Sequence, residues 1–529
     1  MRSFTSQLLG VPLLMWTASA SPLHTARDSA GINWTPCEFP NATLPIQCAN
    51  LSVPLDYTSS NSSETMTLPV FRVQAAVDEG SKKGSILYNC GGPGADCLND
   101  LISWGDVLQA STGGYHDIVT FTPRGTGKTL KFNCFPDDLS RALGMPALVG
   151  NASDVAVGET WAKSILYGNT CAAAQNKTGN LIGTAFVARD MMQIVDALQE
   201  DGLLRYWDHM LTTVDVGISY GTLLGETVLG MFPDRVDKIL LDGVVNPFQY
   251  YANLETETLV DADATFEGFC KGCVENPDVC PLAKNQTAEQ LQESIYTFLE
   301  QLRLNPIPTP QGSLLDYSTV KGALLYVNLK FPSLWPSIAK KLDALMNGSL
   351  PTGIGGGDSS TVSPSSPDAL YGIKCGDTFT ENQTLEDVLP ILESRINGNR
   401  IAGEVNAPSI CANWKIRAKE RYSGDFRVKP LNPALIIGNT YDPVTPLVSA
   451  RNVSETFEGS VLLQHDSYGH TTLMQASLCT AKAIRAYFVR GELPQPGTKC
   501  EIDTFPFART NGWDDVKPRL AAEPIQPKQ

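Results

Sequence analysis

Hydrophobic positions along this chain follow two periods, and stretches of each kind alternate. Ser85–Asn89 (SILYN) is a short apolar run ending in Cys90-Gly91-Gly92-Pro93-Gly94, which predicts a buried strand entering a glycine-rich loop. Asp117–Thr122 (DIVTFT) is a second strand-like run, followed by Pro123-Arg124-Gly125-Thr126-Gly127. From Ala185 to Leu198 the period changes: Val187, Met191, Ile194, Val195 and Leu198 fall on one face of a helix. Leu211–Val216 predicts a strand running into Gly217-Ile218-Ser219-Tyr220-Gly221. A helix is expected over Leu223–Met231 and another strand over Lys238–Leu241. Strands alternating with helices and glycine turns predict an α/β fold, a mostly parallel sheet covered on both faces.

The rhythm breaks after about Asn246. Up to about Arg427 the chain is irregular, with helical patterns at Ala288–Leu304 and Leu334–Met346 and a Gly/Ser/Pro-rich stretch, Thr352–Pro367, between further segments. Strand patterns return at Ala434–Ile437 and Ser460–Gln464. The simplest organisation is one sheet in two parts, residues 21–245 and 428–529, with a mainly helical insertion at 246–427. No internal repeat is evident.

Composition narrows the partners. With 529 residues, 42% hydrophobic and 18% charged, the chain can bury a large core. Its formal net charge of -16 argues against nucleic acid and anionic membrane surfaces. The N-terminus reads as a secretory address: Arg2, then the apolar Leu8–Trp16, then Ala18-Ser19-Ala20 as a cleavage site. Residues 1–20 are therefore expected to be removed, and no later segment is long and apolar enough for a membrane anchor. Ten N-x-Ser/Thr sequons, at Asn33, Asn41, Asn50, Asn61, Asn151, Asn176, Asn285, Asn347, Asn382 and Asn452, predict a secreted, N-glycosylated protein.

Thirteen cysteines in an oxidising compartment should mostly pair. The local pairs expected are Cys37 with Cys48, Cys90 with Cys97, Cys134 with Cys171, Cys375 with Cys411 and Cys479 with Cys500. In the cluster Cys270, Cys273 and Cys280, one pair leaves a thiol over. No histidine stands near this cluster, so a disulfide-closed loop is preferred to a metal site.

Gly217-Ile218-Ser219-Tyr220-Gly221 is a G-x-S-x-G sequence between a strand pattern and a helix pattern, the setting of a serine exposed on a sharp turn above a sheet. On such an elbow the chain order is nucleophile, acid, histidine, which describes the α/β-hydrolase fold. Of five histidines only His465 and His470 follow Ser219. His465 ends an apolar strand pattern and reads as structural, whereas His470 lies in the loop Ser467-Tyr468-Gly469-His470 and is preferred as the base. Asp442, in Gly438-Asn439-Thr440-Tyr441-Asp442-Pro443-Val444-Thr445-Pro446 after a strand, is preferred as the acid over Asp466, which is too near His470. The expected oxyanion donors are the amides of Tyr220 and Gly92. These parts need no metal or organic cofactor.

The runs GGPG (Gly91–Gly94), PRGTG (Pro123–Gly127), GISYGT and FPDRVDKILLDGVVNP (Phe232–Pro247) resemble the tripeptidyl-aminopeptidase and prolyl-iminopeptidase group of α/β-hydrolases. GNTYDPVTP and YGH resemble the C-terminal region of its tripeptidyl-aminopeptidase-like members. The similarity runs from about Cys37 to Cys500 and is weakest across the insertion. It implies a serine peptidase that removes short groups from free peptide N-termini, with Ser219, Asp442 and His470 as triad and the insertion as a cap. Two positions depart from the pattern: Cys90 stands where histidine or asparagine is common, and Thr122 where an acid usually precedes PRG.

An exopeptidase also needs a carboxylate for the substrate ammonium, and Glu255, Glu257 and Asp261 open the insertion; a solvated acidic face accounts for them equally well. Two other functions use the same residues differently: an esterase, lactonase or thioester hydrolase of a small metabolite, and a non-catalytic binding protein on this fold. The intact serine, acid and histidine speak against the last.

Overall fold

Ten strands form one sheet in the computed structural model, which describes residues 31–59, 63–146, 149–208, 220–310, 312–351, 367–380, 383–403, 405–508 and 510–523. They are β1 (Thr35–Cys37), β2 (Ile46–Pro54), β3 (Thr65–Val73), β4 (Ser85–Asn89), β5 (Asp117–Phe121), β6 (Leu204–Asp208), β7 (Val236–Asp242), β8 (Leu435–Tyr441), β9 (Val461–Tyr468) and β10 (Lys499–Glu501). Their order across the sheet is β1-β2-β3-β5-β4-β6-β7-β8-β9-β10. The β1–β2, β2–β3 and β3–β5 pairs are antiparallel, and every pair from β5 to β10 is parallel.

All five residues of β4, of β5 and of β6 are buried, as expected where helices cover both faces. Successive side chains alternate between two cores: Leu87 joins one, Ile86 and Tyr88 the other. The first core lies against helices Thr184–Leu198 and Tyr220–Met231, the second against Leu98–Ser111, Leu478–Arg490 and Trp513–Ala522.

The strand expected at Leu211–Val216 falls outside the described residues. The strand that pairs with both β4 and β7 is β6, with the sequence LRYWD. Its polar ends hid it: Arg205 is buried through ion pairs with Asp201 and Asp237, and Asp208 closes the strand.

Among the described residues no strand of this sheet lies between Asp242 and Leu435. Helices Ala262–Glu275, Ala288–Leu304 and Trp335–Met346 pack around a core of their own, in which Phe266, Phe269, Ile295, Leu299 and Trp335 are buried. Helices Pro367–Asp377 and Asn406–Ala412 instead contribute Ile373 and Ile410 to the first core of the sheet. The Gly/Ser/Pro-rich stretch and the N-terminal address both fall outside the described residues, the former from Thr352 to Ser366.

Six disulfides are formed. Five are Cys37–Cys48, Cys90–Cys97, Cys134–Cys171, Cys375–Cys411 and Cys479–Cys500, as the spacing predicts. The sixth, Cys273–Cys280, leaves Cys270 as a buried thiol.

Glu226 lies on the helix Tyr220–Met231. It is fully buried, and among the described residues neither carboxyl oxygen has a hydrogen-bond partner. Burial, with the nearby Asp208, pushes its carboxyl well above the usual range, so the folded protein keeps a proton that the unfolded chain releases. Stability therefore falls as pH rises above the ordinary glutamate value of 4.5. Glu226→Met, close in volume, is expected to raise the stability at about pH 7.5 by about 1–3 kcal/mol and by clearly less near pH 4.5. Thermal melts at the two pH values check this.

Candidate active site

The carboxyl ends of β4, β6, β7, β8 and β9 lie along one edge of the sheet, and of the expected site residues Asp442 and His470 follow two of these ends. β4 ends at Asn89, whose Oδ1 accepts from Gly91 N (2.9 Å) in the glycine loop. A Cβ on Gly221 would lie 2.8 Å from that same Oδ1 and 1.5 Å from Oδ1 of Asp208. The helix Tyr220–Met231 thus starts directly against the ends of β4 and β6, a close approach that glycine alone allows. Residues 209–219, including Gly217 and Ser219, lie outside the described residues. Tyr220 is buried at the first helical position. Gly92 has φ +109, and a Cβ there would lie 2.9 Å from the amides of Gly94 and Ala95.

Asp442 follows the end of β8 and His470 follows the end of β9; both are fully buried. The structure brings them together: His470 Nδ1 lies 2.7 Å from Asp442 Oδ2. Asp442 Oδ1 accepts from the amides of Val444 and Thr445 (both 2.9 Å), and Oδ2 also accepts from Thr445 Oγ1 (2.9 Å). A carboxylate can only accept, so the imidazole donates from Nδ1 and the neutral ring carries its basic lone pair on Nε2. That is the tautomer a general base requires.

The histidine loop is held from both sides. Asn439 Nδ2, buried in β8, donates to Gly469 O (2.9 Å) and Thr471 O (2.8 Å), bracketing His470. Thr472 donates from its amide to Asp242 Oδ1 (3.2 Å) and from its hydroxyl to Asp242 Oδ2 (2.6 Å), at the end of β7. His470 N donates to Lys330 O (2.9 Å), a contact from the insertion. Asn439, Thr445 and Asp242 were not singled out from the sequence; the first two stand inside GNTYDPVTP and the third inside LLDG.

The rival residues have other duties. His465, buried in β9, pairs with Thr480 Oγ1 (2.8 Å) and Gln475 O (3.0 Å). Asp466 accepts from Thr440 Oγ1 (2.6 Å) and Lys499 Nζ (2.7 Å). His116 is buried, and burial first, then the charges of Arg205, Lys238 and Lys83, lower it to about 3. His24 and His209 lie outside the described residues.

Residues 399–500, which contain both Asp442 and His470, match the family model described as TAP-like protein. Over 497 residues the chain is 26% identical to serine protease Hip1 of Mycobacterium tuberculosis, covering 89% of this chain and 91% of that protein. It is 25% identical over 513 residues to the tripeptidyl aminopeptidase of Streptomyces lividans, covering 91% of this chain and 89% of that protein. To carboxylesterase B of Mycobacterium tuberculosis it is 26% identical over 544 residues, covering 94% and 97%. The chain has an α/β-hydrolase fold, and its residues 399–500 are similar to TAP-like proteins. It is an enzyme of the serine hydrolase kind.

Both departures from the sequence pattern have structural counterparts. Cys90 is bonded to Cys97, closing the loop that holds Gly91–Gly94. Thr122 donates to Asp96 Oδ1 (3.2 Å), so a carboxylate still stands at this point, supplied from the glycine loop.

The three acids that open the insertion separate clearly. Glu255 is buried between Lys374 and Arg395. Glu257 accepts from Asn246 Nδ2 (3.1 Å), Ser449 Oγ (2.8 Å) and Asn452 Nδ2 (2.6 Å). Asp261 stays half-buried near the pair, and burial first, then the charge of Asp442, raise it to about 6.

Proposed function

We propose that this chain is a secreted serine exopeptidase that releases short groups from free peptide N-termini through an acyl-enzyme. Ser219 is the nucleophile: His470 Nε2 takes its proton as Oγ attacks the scissile carbonyl, and the amides of Gly92 and Tyr220 receive the developing oxyanion. Asp442 stabilises the imidazolium. The proton passes to the leaving amine, water then attacks the acyl-enzyme with His470 as base, and the acid product leaves. The observation that carries this reading is the buried 2.7 Å contact of His470 Nδ1 with Asp442 Oδ2.

Peptide substrates are supported by the relatives named serine protease and tripeptidyl aminopeptidase. Of the three acids, Asp261 is the one suited to a substrate ammonium: Glu255 is buried, Glu257 is taken up by three donors, and Asp261 keeps partial exposure and carries charge above about pH 6. Secretion and glycosylation are supported by six disulfides and by the sequons. Asn33, Asn41, Asn50, Asn176, Asn285, Asn347 and Asn452 are exposed, and Asn151 is half-buried. Among the described residues no helix is long and apolar enough to cross a membrane.

An esterase of small metabolites is the second reading, favoured by the comparable likeness to a carboxylesterase. Matched substrates separate the two: N-terminally free tripeptidyl and prolyl amides, their blocked counterparts, and short-chain esters. Free amides are expected to turn over and blocked ones not, whereas ester turnover alone would support the esterase. A serine-reactive phosphonate is expected to label wild type and not Ser219→Ala. Labelling and turnover retained in the variant would sink the nucleophile assignment.

A further inference from the structure

We propose that the helix Pro367–Asp377, part of the insertion, sets the geometry of the oxyanion hole, with Asp377 as a positioning residue acting through Thr184 on Tyr220. The inference rests on the reading of Ser219, Gly92 and Tyr220 given above and adds what holds the two donors in place. One end of the helix meets the glycine loop. Gly94 has φ +95, and a Cβ there would lie 3.0 Å from Ala369 Cβ and 3.2 Å from Leu370 N. The other end reaches the elbow helix through side chains. Asp377 Oδ1 accepts from Thr184 N (3.0 Å) and Oδ2 from Thr184 Oγ1 (2.5 Å), and Thr184 Oγ1 lies 2.7 Å from Tyr220 Oη. With Asp377 ionised, Thr184 gives its one hydroxyl proton to the carboxylate, so Tyr220 donates to Thr184 Oγ1. All three residues are buried.

The helix is itself fixed to the rest of the fold. Cys375 is bonded to Cys411, and Asp368 accepts from Cys134 N (2.8 Å) and Tyr167 Oη (2.7 Å). Both segments that supply oxyanion donors therefore lean on one anchored element outside the sheet. Burial raises the Asp377 carboxyl to about 7, against the pull of Thr184, Arg421 and Lys374. Its two hydrogen bonds to Thr184 supply orientation. Orientation is what an oxyanion hole needs, since its donors act only when aimed beforehand at the charge.

The test uses full-length enzyme with Thr184→Val, Thr184→Ser, Tyr220→Phe and the Val/Phe double variant, measured on whichever substrate wild type turns over. Thr184→Val and Tyr220→Phe are each expected to lower kcat about 10-fold with KM within about twofold. The double variant should lose no more than either single one, because one chain of hydrogen bonds is cut in each. Phosphonate labelling should slow in parallel, since its adduct also places an oxygen in the hole. Thr184→Ser keeps the hydroxyl and should recover most of the rate. Should Thr184→Val fail to fold, Tyr220→Phe reads the same contact.

Unchanged kcat in both single variants, or equal losses in Thr184→Ser and Thr184→Val, would overturn the proposal. So would a drop in melting temperature with kcat intact. Ser219→Ala run alongside keeps the two ideas apart. If it is inactive while the Thr184 and Tyr220 variants are unaffected, only the positioning role falls; if it is active, the nucleophile assignment falls.

Discussion

Asp442→Asn is expected to lower kcat about 10⁴-fold while leaving the protein folded. The asparagine oxygen has a clear preference: the amides of Val444 and Thr445 both donate to the Oδ1 position at 2.9 Å. That places the NH₂ group where Oδ2 now faces His470 Nδ1. A donor there forces Nδ1 to accept, and the ring proton moves to Nε2. The histidine is then in the tautomer that cannot take a proton from the serine. Thr445 Oγ1 can accept from the new NH₂ group, so the local fold has no reason to open. Steady-state kinetics beside a thermal melt check this. A variant that kept a tenth or more of the wild-type rate would remove Asp442 from the orienting role.

Gly469→Ala should cost about 10²-fold in kcat for a different reason. Gly469 has φ +88, and a Cβ there would lie 2.5 Å from Pro332 Cδ and 2.8 Å from Lys330 O. The neighbours are backbone and a proline ring, neither of which can swing aside. The loop must therefore retreat, breaking the His470 N to Lys330 O bond and displacing the imidazole from Asp442. Gly497→Ala is the matched control, since Gly497 also has positive φ (+82) but nothing within 4 Å of the added carbon. The control carries the backbone strain alone and should keep its activity. Equal behaviour of the two variants would show that the insertion does not hold the histidine loop.

Much of the architecture was legible because the signals were local. Strands β4 and β5 are continuous apolar runs, and the helix over Ala288–Leu304 begins and ends where its periodicity does. Pairing each cysteine with its neighbour along the chain was enough for five disulfides, two of which close long loops. β6 was missed because Arg205 and Asp208 make its run look too polar for a central strand. Antiparallel β1–β3, at the edge of the sheet, carry mixed exposure and no continuous apolar run, so their pairing was equally hidden.

By itself the sequence determined the chemical inventory: one G-x-S-x-G serine, two histidines after it, and an aspartate in GNTYDPVTP. Chain order reduced these to a short choice. Only the tertiary structure showed that of His470 and His465, five residues apart, one meets a carboxylate and the other a threonine and a carbonyl. Only it showed that Asn439, Asp242 and Lys330, from three distant stretches, brace the histidine loop. The physical reason is the same in each case. A residue's type and local pattern are written along the chain, whereas the partner that fixes its charge, tautomer or position comes from wherever the sheet and insertion bring other segments alongside.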